Sequence, residues 1–241
     1  MNKLVQKALR RLNIAIALAL AIIVAGGFGG ITYVFASSTS NFTQTIGAGT
    51  LATDIVNGTY VTVGSPTMAM SSANFSLVCQ TVTGSFGTAS EQIYVTNPDA
   101  ADGGWTLSLA AATPATDVWD GAASDFDYND PAGSGCTDTT DDDDVDLVGG
   151  QMTVNPAAGT LAVGQCASCV VTNVTKGSSA AFDAVDVAPV NSITVLTGAA
   201  GSDDIGDWTL QGVAISQKIP AEQAAAADYD INMVLSIVAA G

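Results

Sequence analysis

An all-β fold is what this chain predicts, and three observations predict it. After residue 36 the apolar residues recur with a period close to two. The acidic residues are 21 Asp against only two Glu, Glu91 and Glu222, and Asp favours turns whereas Glu favours helices. No stretch beyond residue 36 carries an amphipathic 3.6-residue repeat; "PAEQAAAADYD" holds one turn at most before a last strand. About nine or ten strands in some 200 residues suffice for one core. The expected architecture is a single β-sandwich, jelly-roll or Ig-like, with an Asp-rich loop insertion, preceded by an N-terminal hydrophobic export helix.

The chain opens with Lys3, Lys7, Arg10 and Arg11, followed by an apolar run from Leu12 to Ala36 that ends in "YVFASS". This order is that of a signal peptide, with Val34 and Ala36 as the small residues for cleavage before Ser37. The run is also long enough for an uncleaved signal anchor. In either case residues 1–36 form a targeting segment, the basic end stays inside, and 37–241 is exported to the cell exterior. Losing 1–36 removes four of the six basic residues and none of the 23 acidic ones, leaving a net charge of −21. Such a surface repels nucleic acid and anionic lipid and attracts metal ions. Membrane contact is therefore expected only through the N-terminal segment.

From residue 37 to about 53 the chain is Thr-, Gly- and apolar-rich and almost uncharged. This arm suits strand addition to a neighbouring copy, or else forms the first strand of its own sheet. Strands are then expected at 59–63, 75–82, 92–96, 105–109, 151–154, 170–174, 192–196, 208–215 and 229–237. "GWTLSLA" shows the pattern, with Trp105, Leu107 and Leu109 on one face and Thr106 and Ser108 on the other. In 208–215 the apolar parity changes at Gly212, from Trp208 and Leu210 to Val213 and Ile215, which predicts a bulge there. Trp105, Leu107, Trp208 and Leu210 are expected in the core.

The segment 113–148 interrupts this rhythm and reads as an insertion facing solvent. From Asp117 to Asp146 it holds eleven Asp and no basic residue. "DFDYND" places Asp125, Asp127 and Asn129 at alternate positions, followed by Asp130, as in Ca²⁺-binding loops. The EF-hand pattern then breaks, with Pro131 in place of the turn glycine and Cys136 in place of the bidentate Glu. Asp120, Asp138, Asp141, Asp142, Asp143, Asp144 and Asp146 would complete six or seven oxygen ligands if the loop folds back. Ca²⁺ is the expected cofactor, and a solvated acidic loop is the alternative. Trp119, inside this polar segment, is expected at the surface.

Cys79, Cys136, Cys166 and Cys169 allow three pairings in an exported chain. Cys79–Cys136 with Cys166–Cys169 is preferred, because it ties the acidic loop to a core strand. A redox-active Cys-x-x-Cys would need a cationic neighbour to lower a thiol pKa, and a zinc site would need a second such pair. Sequons at Asn41, Asn57, Asn74 and Asn173 offer glycan acceptors.

Enzymatic readings find little material. The chain has no histidine, hence no Ser-His-Asp arrangement and no ordinary histidine base. No phosphate-cradling glycine loop opens a helix. A non-enzymatic protein is expected.

Two Trp-x-Leu motifs on strands, at 105–107 and 208–210, in an exported Thr-, Ala- and Asp-rich chain with an "IPAEQ" approach to its last strand, resemble the WxL-domain proteins of bacterial surfaces. That resemblance implies noncovalent attachment to cell wall or glycan. In that family the second motif lies close to the C-terminus; here 31 residues follow Leu210. A looser similarity, through "FASSTSNFTQTIGAGTLATDI", is to the TasA and camelysin group of biofilm-fibre proteins. It implies an exported all-β domain whose N-terminal arm leads directly into a strand. The C-terminal "VLSIVAAG" carries no basic tail, so attachment is expected through self-assembly or another surface component. The expected function is a structural cell-surface protein, a subunit of an extracellular filament or surface layer stabilised by Ca²⁺. The alternative is a wall- or glycan-binding module.

Overall fold

The computed structural model describes residues 3–28, 44, 49–98, 103–122, 124–136, 149–184, 189–201 and 205–240. The chain divides into two units, Met1–Ile46 and Gly47–Gly241. The first contains α1, Lys3–Phe28, with four basic residues near its start and no charge from Leu12 onward. Among the described residues no helix is long and apolar enough to cross a membrane.

The second unit is all-β, with twelve strands in three antiparallel four-stranded sheets. The first sheet has the order β1 (Ala52–Val56), β3 (Gln92–Asn97), β10 (Gly206–Gln211), β6 (Thr160–Val163). The second has the order β2 (Gln80–Phe86), β11 (Val213–Ile219), β5 (Gln151–Asn155), β8 (Ala180–Ala181). The third has the order β12 (Met233–Ala239), β4 (Trp105–Ala111), β9 (Ile193–Gly198), β7 (Val174–Lys176).

The first two sheets share three strand paths that turn one corner together. β10 pairs with β3 at Leu210↔Ile93, and three residues later β11 pairs with β2 at Val213↔Phe86. β5 and β6 follow the same two strands on their other side, at Ala214↔Asn155 and Gln211↔Thr160. At the corner stand Gly212 (φ 75°), Gly87 (φ 83°) and the 3₁₀ turn Pro156–Ala158. The Gly212 N–H donates to the Gly87 carbonyl at 2.7 Å. Left-handed φ is cheap for glycine and strained for other residues. The parity change expected at Gly212 is real, but its cause is the passage from one sheet to the next rather than a bulge within one. Trp208, Leu210, Val213 and Ile215 are all buried on either side of it.

Inward side chains from all three sheets form one hydrophobic core. Trp105 of β4 and Trp208 of β10 meet there with ring centroids 5.7 Å apart, and Leu107 and Leu210 beside them are fully buried. Truncating either indole would cost about 3–5 kcal/mol.

Several expected strands are displaced; β2 and β12 begin at Gln80 and Met233, where strands over 75–82 and 229–237 are expected. Residues 57–60 form a turn, because Asn57 Oδ1 accepts from the N–H of Thr59 and of Val61 and Tyr60 takes a φ of 61°, and beyond it Thr62 bridges to Val56 and Val63 N–H donates to the Ile55 carbonyl. Residues 170–173 are loop and the strand begins at Val174, since the Val170 carbonyl is taken by the Trp208 indole N–H at 2.9 Å.

The core is thinly covered along one seam. β1 and β12 are edge strands of their sheets. Met233, Leu235 and Ile237, the inward residues of β12, are only partly buried, and its outward Val234 and Val238 are 43% and 66% exposed. A cavity of about 420 Å³ lies here, lined by Ile55 of β1, by Met68, Phe86 and Ile231, and by Met233 and Leu235 of β12.

Candidate functional site

The described part of the acidic insertion, up to Cys136, is woven into the core rather than standing in solvent. Trp119 and Phe126 exchange backbone hydrogen bonds at 2.8 and 3.2 Å, and their rings stack 5.8 Å apart at an interplanar angle of 10°. Tyr229 meets the Phe126 ring edge-on at 5.0 Å. Trp119, expected at the surface, is 8% exposed. A large aromatic ring in a polar stretch gains more from this stack than from solvent. Asp120 is exposed, and its backbone pairs in both directions with that of Asp230.

The alternate spacing in "DFDYND" does not build one chelating loop. Asp125 Oδ1 accepts from the Gly121 N–H at 3.1 Å, holding the turn between Trp119 and Phe126. Asp130 Oδ1 accepts from the Ala132 N–H at 2.7 Å, at the start of the turn Ala132–Ser134. Between them the chain dives inward: Asp127, Tyr128, Asn129 and Asp130 are all 2% exposed or less. The backbone explains why. Met152 N–H donates to the Tyr128 carbonyl, Asp130 N–H to Gly150, and Ala184 N–H to Asn129, which fixes the segment between β5 and the chain after β8. Gly150 is required for this approach, since a Cβ there would lie 2.0 Å from the Asp127 carbonyl oxygen. Tyr128 packs against Phe182 at 5.1 Å and donates its hydroxyl to the Pro114 carbonyl.

One residue that sequence reasoning missed completes this neighbourhood. Gln217 of β11 is fully buried, and its Nε2 donates to the carbonyls of Asp127 (2.8 Å) and Lys218 (2.7 Å). A polar residue breaking the apolar parity Val213, Ile215 was the available signal. Asp138, Asp141, Asp142, Asp143, Asp144 and Asp146 lie outside the described residues. Among the described residues no three carboxylates of the insertion gather at one point; the one group of that kind is Cys166, Cys169 and Asp207.

The four cysteines form Cys79–Cys136 and Cys166–Cys169, the preferred pairing of the three. Cys79–Cys136 joins residues 57 apart in sequence, tying the end of the described insertion to the residue preceding β2. Closing such a loop is worth about 4 kcal/mol in the chain-entropy account. The two bonds fit an oxidising, extracellular environment.

Cys166–Cys169 rests on the residues that begin the second Trp-x-Leu strand. The Asp207 carboxylate accepts from the backbone N–H of Gln165 (2.6 Å) and Cys166 (2.8 Å) and from the Tyr94 hydroxyl (2.6 Å). A Cβ on Gly164 would lie 2.1 Å from Asp207 Oδ2, so glycine is needed for that approach. The Tyr94 hydroxyl is pushed up to about 12, first by burial and then by donating to Asp207. A carboxylate within 4.8 Å of both sulfurs disfavours a thiolate. The chemistry of this corner is that of an anchored structural disulfide, and while the sulfurs are bonded to each other they are not thiolate ligands.

Comparison with protein-family models, with curated proteins and with solved structures gave no match.

Proposed function

We propose that this chain is a structural protein of the cell exterior, a subunit of an extracellular filament or surface layer. In this reading its three sheets make a β-sandwich, the corner-sharing pair facing the third, and successive copies join by strand addition or edge contacts. The observation that carries it is the open seam between β1 and β12. Two edge strands there flank a cavity of about 420 Å³, over which the inward side chains of β12 stay half-covered. Part of the β1 edge is taken, since Val63 N–H donates to the Ile55 carbonyl and Thr62 bridges to Val56; the edge left to a further strand is that of β12, beside uncovered apolar side chains. The segment 37–50, nearly uncharged and rich in Thr, Gly and apolar residues, is of the right composition to fill the seam of the next copy. Residues 52 and 53 are not part of that donor, because they belong to β1 and pair with Thr96 and Val95 of their own sheet.

A cation, Ca²⁺ by the chemistry of the available oxygens, stabilises the insertion in this reading, and no catalytic step is assigned. The WxL and fibre-protein resemblances rest on short motifs and agree on the cell exterior. The wall-binding alternative gains no support from Trp105 and Trp208, which are buried in the core.

Electron microscopy with light scattering on the purified protein, in millimolar Ca²⁺ and after chelation, tests the proposal. Ordered polymers that require residues 37–50 are expected. A monodisperse monomer under both conditions would overturn it.

A further inference from the structure

The Cys-x-x-Cys pair has no second such pair in the sequence, but the fold brings it a third ligand from β10. One ligand atom each from Cys166, Cys169 and Asp207 lie within 4.8 Å of one another. Asp207 is buried, whereas both cysteines are partly exposed, so an ion can reach the group from the sulfur side. Around a tetrahedral Zn²⁺, with Zn–S of about 2.3 Å and Zn–O of about 2.0–2.2 Å, such atoms stand about 3.5–3.8 Å apart. Parting the two sulfurs is therefore the main movement required.

The loop is held in place without its covalent bond. Asp207 grips one end, accepting from the N–H of Gln165 and of Cys166, and the Trp208 indole N–H grips the other through the Val170 carbonyl. Cys166 and Cys169 are three residues apart, against 57 for Cys79 and Cys136. Short closures contribute least to stability, so opening this bond costs the fold less than opening the other. Gly206 makes room for the sulfur, since a Cβ there would lie 2.4 Å from Cys169 Sγ. The carboxylate is oriented as a ligand should be: Oδ2 accepts from the Tyr94 hydroxyl and Gln165 N–H, and Oδ1 from Cys166 N–H alone, which leaves it a lone pair. That carboxylate opposes a free thiolate, but a dication inverts the sign, because it draws two thiolates and a carboxylate together.

We propose that Cys166, Cys169 and Asp207, once the disulfide is reduced, bind a thiophilic divalent cation of the Zn²⁺ class, with solvent in the fourth position. A dithiol supplies the two electrons by thiol–disulfide exchange and leaves as a cyclic disulfide. The two cysteine thiols then give their protons to solvent as the ion binds. The corner thus has two closures, an ion wherever thiols are kept reduced and a covalent bond in an oxidising exterior. The site stands whether or not the chain polymerises.

The test is titration of Zn²⁺, against a chromophoric chelator, into the full chain reduced with a phosphine, which becomes the phosphine oxide. Reduced wild type is expected to take up one tightly held Zn²⁺ that the oxidised protein and reduced Cys166→Ser/Cys169→Ser do not. With Co²⁺ it should show thiolate-to-metal charge-transfer absorption. Asp207→Asn should weaken binding about tenfold or more, with free thiols counted in each sample so that incomplete reduction is not mistaken for weak binding. Asp207→Cys separates a ligand from a structural role. It places a third sulfur on the ion and strengthens the Co²⁺ charge-transfer band if position 207 ligates, and leaves the band unchanged if it does not. X-ray absorption at the zinc edge of loaded wild type needs no variant to fold. Two sulfurs with lighter ligands are expected there, and four sulfurs would give the ion to both cysteine pairs. Uptake no greater than in Cys166→Ser/Cys169→Ser, unchanged affinity in Asp207→Asn, an unchanged band in Asp207→Cys or a four-sulfur shell would each overturn the site.

Discussion

The Tyr94 hydroxyl donates to the Asp207 carboxylate at 2.6 Å across two neighbouring strands, a diagonal pair, since Tyr94 stands opposite Thr209 in the register. The same carboxylate holds the backbone of Gln165 and Cys166, so one interaction connects a central strand to the Cys166–Cys169 loop. Tyr94→Phe should lower stability by about 1–2 kcal/mol, measured by chemical denaturation.

The pH dependence of that pair has a definite sign. The folded-state pKa of Tyr94 is raised from 10.0 to about 12, so its contribution is complete below pH 10 and is lost as pH rises from 10 through 12. Ultraviolet titration of the tyrosines should show a late ionisation that vanishes in Tyr94→Phe. A titration curve left unchanged by Tyr94→Phe above pH 10 would contradict this.

Asp207→Asn keeps the shape of the side chain and removes its charge. The nearby sulfurs then lose the field that disfavours a thiolate. Reduction of Cys166–Cys169 by a dithiol, followed by thiol trapping, should become several-fold faster than in wild type, while Cys79–Cys136, remote from the substitution, keeps its rate.

The two corner glycines should differ in cost. A Cβ on Gly212 meets nothing closer than 4.0 Å, so Gly212→Ala pays only for its φ of 75°, about 1–2 kcal/mol. A Cβ on Gly87 would also lie 2.8 Å from the Leu210 carbonyl oxygen, so Gly87→Ala should be the more damaging. Equal losses in urea denaturation would show that the collision is relieved by a shift of the corner.

Lysines at Val234 and Val238, both on the exposed face of an edge strand, should leave the monomer within about 0.5 kcal/mol of wild type and block polymer growth. Sedimentation and microscopy of the double variant check this. Polymers formed at the wild-type rate would remove β12 from the contact.

Much of the sheet structure was legible because alternation reports a half-buried strand directly: β3, β4, β5 and β9 lie close to where the pattern puts them. Short or irregular pieces were not. β6 and β8 carry four and two residues, too few for a period to declare itself. The turn at Asn57 overrode the strand propensity of the Thr-Tyr-Val that follows, through side-chain bonds no period encodes. The acids at 125–130 were visible as a group, but not their separation into a turn acceptor, a cap and a buried segment. That division depends on Gly150, Met152 and Ala184, which approach from elsewhere in the chain. Asp207 carried no signal beyond its place before Trp208.

The corner at Gly87 and Gly212 has a bearing on the order of assembly. β10 and β11 are interior strands of the first and second sheets, yet they are contributed by residues 206–219, near the end of the chain. A polypeptide emerging N-terminus first, from a ribosome or a translocation channel, can complete neither sheet until those residues arrive: β1 can pair with β3 and β5 with β8, but β2 and β6, whose sheet neighbours are β11 and β10, must wait. Such a chain stays threadable for most of its passage and then closes late, in one cooperative step, once residues 206–219 are out.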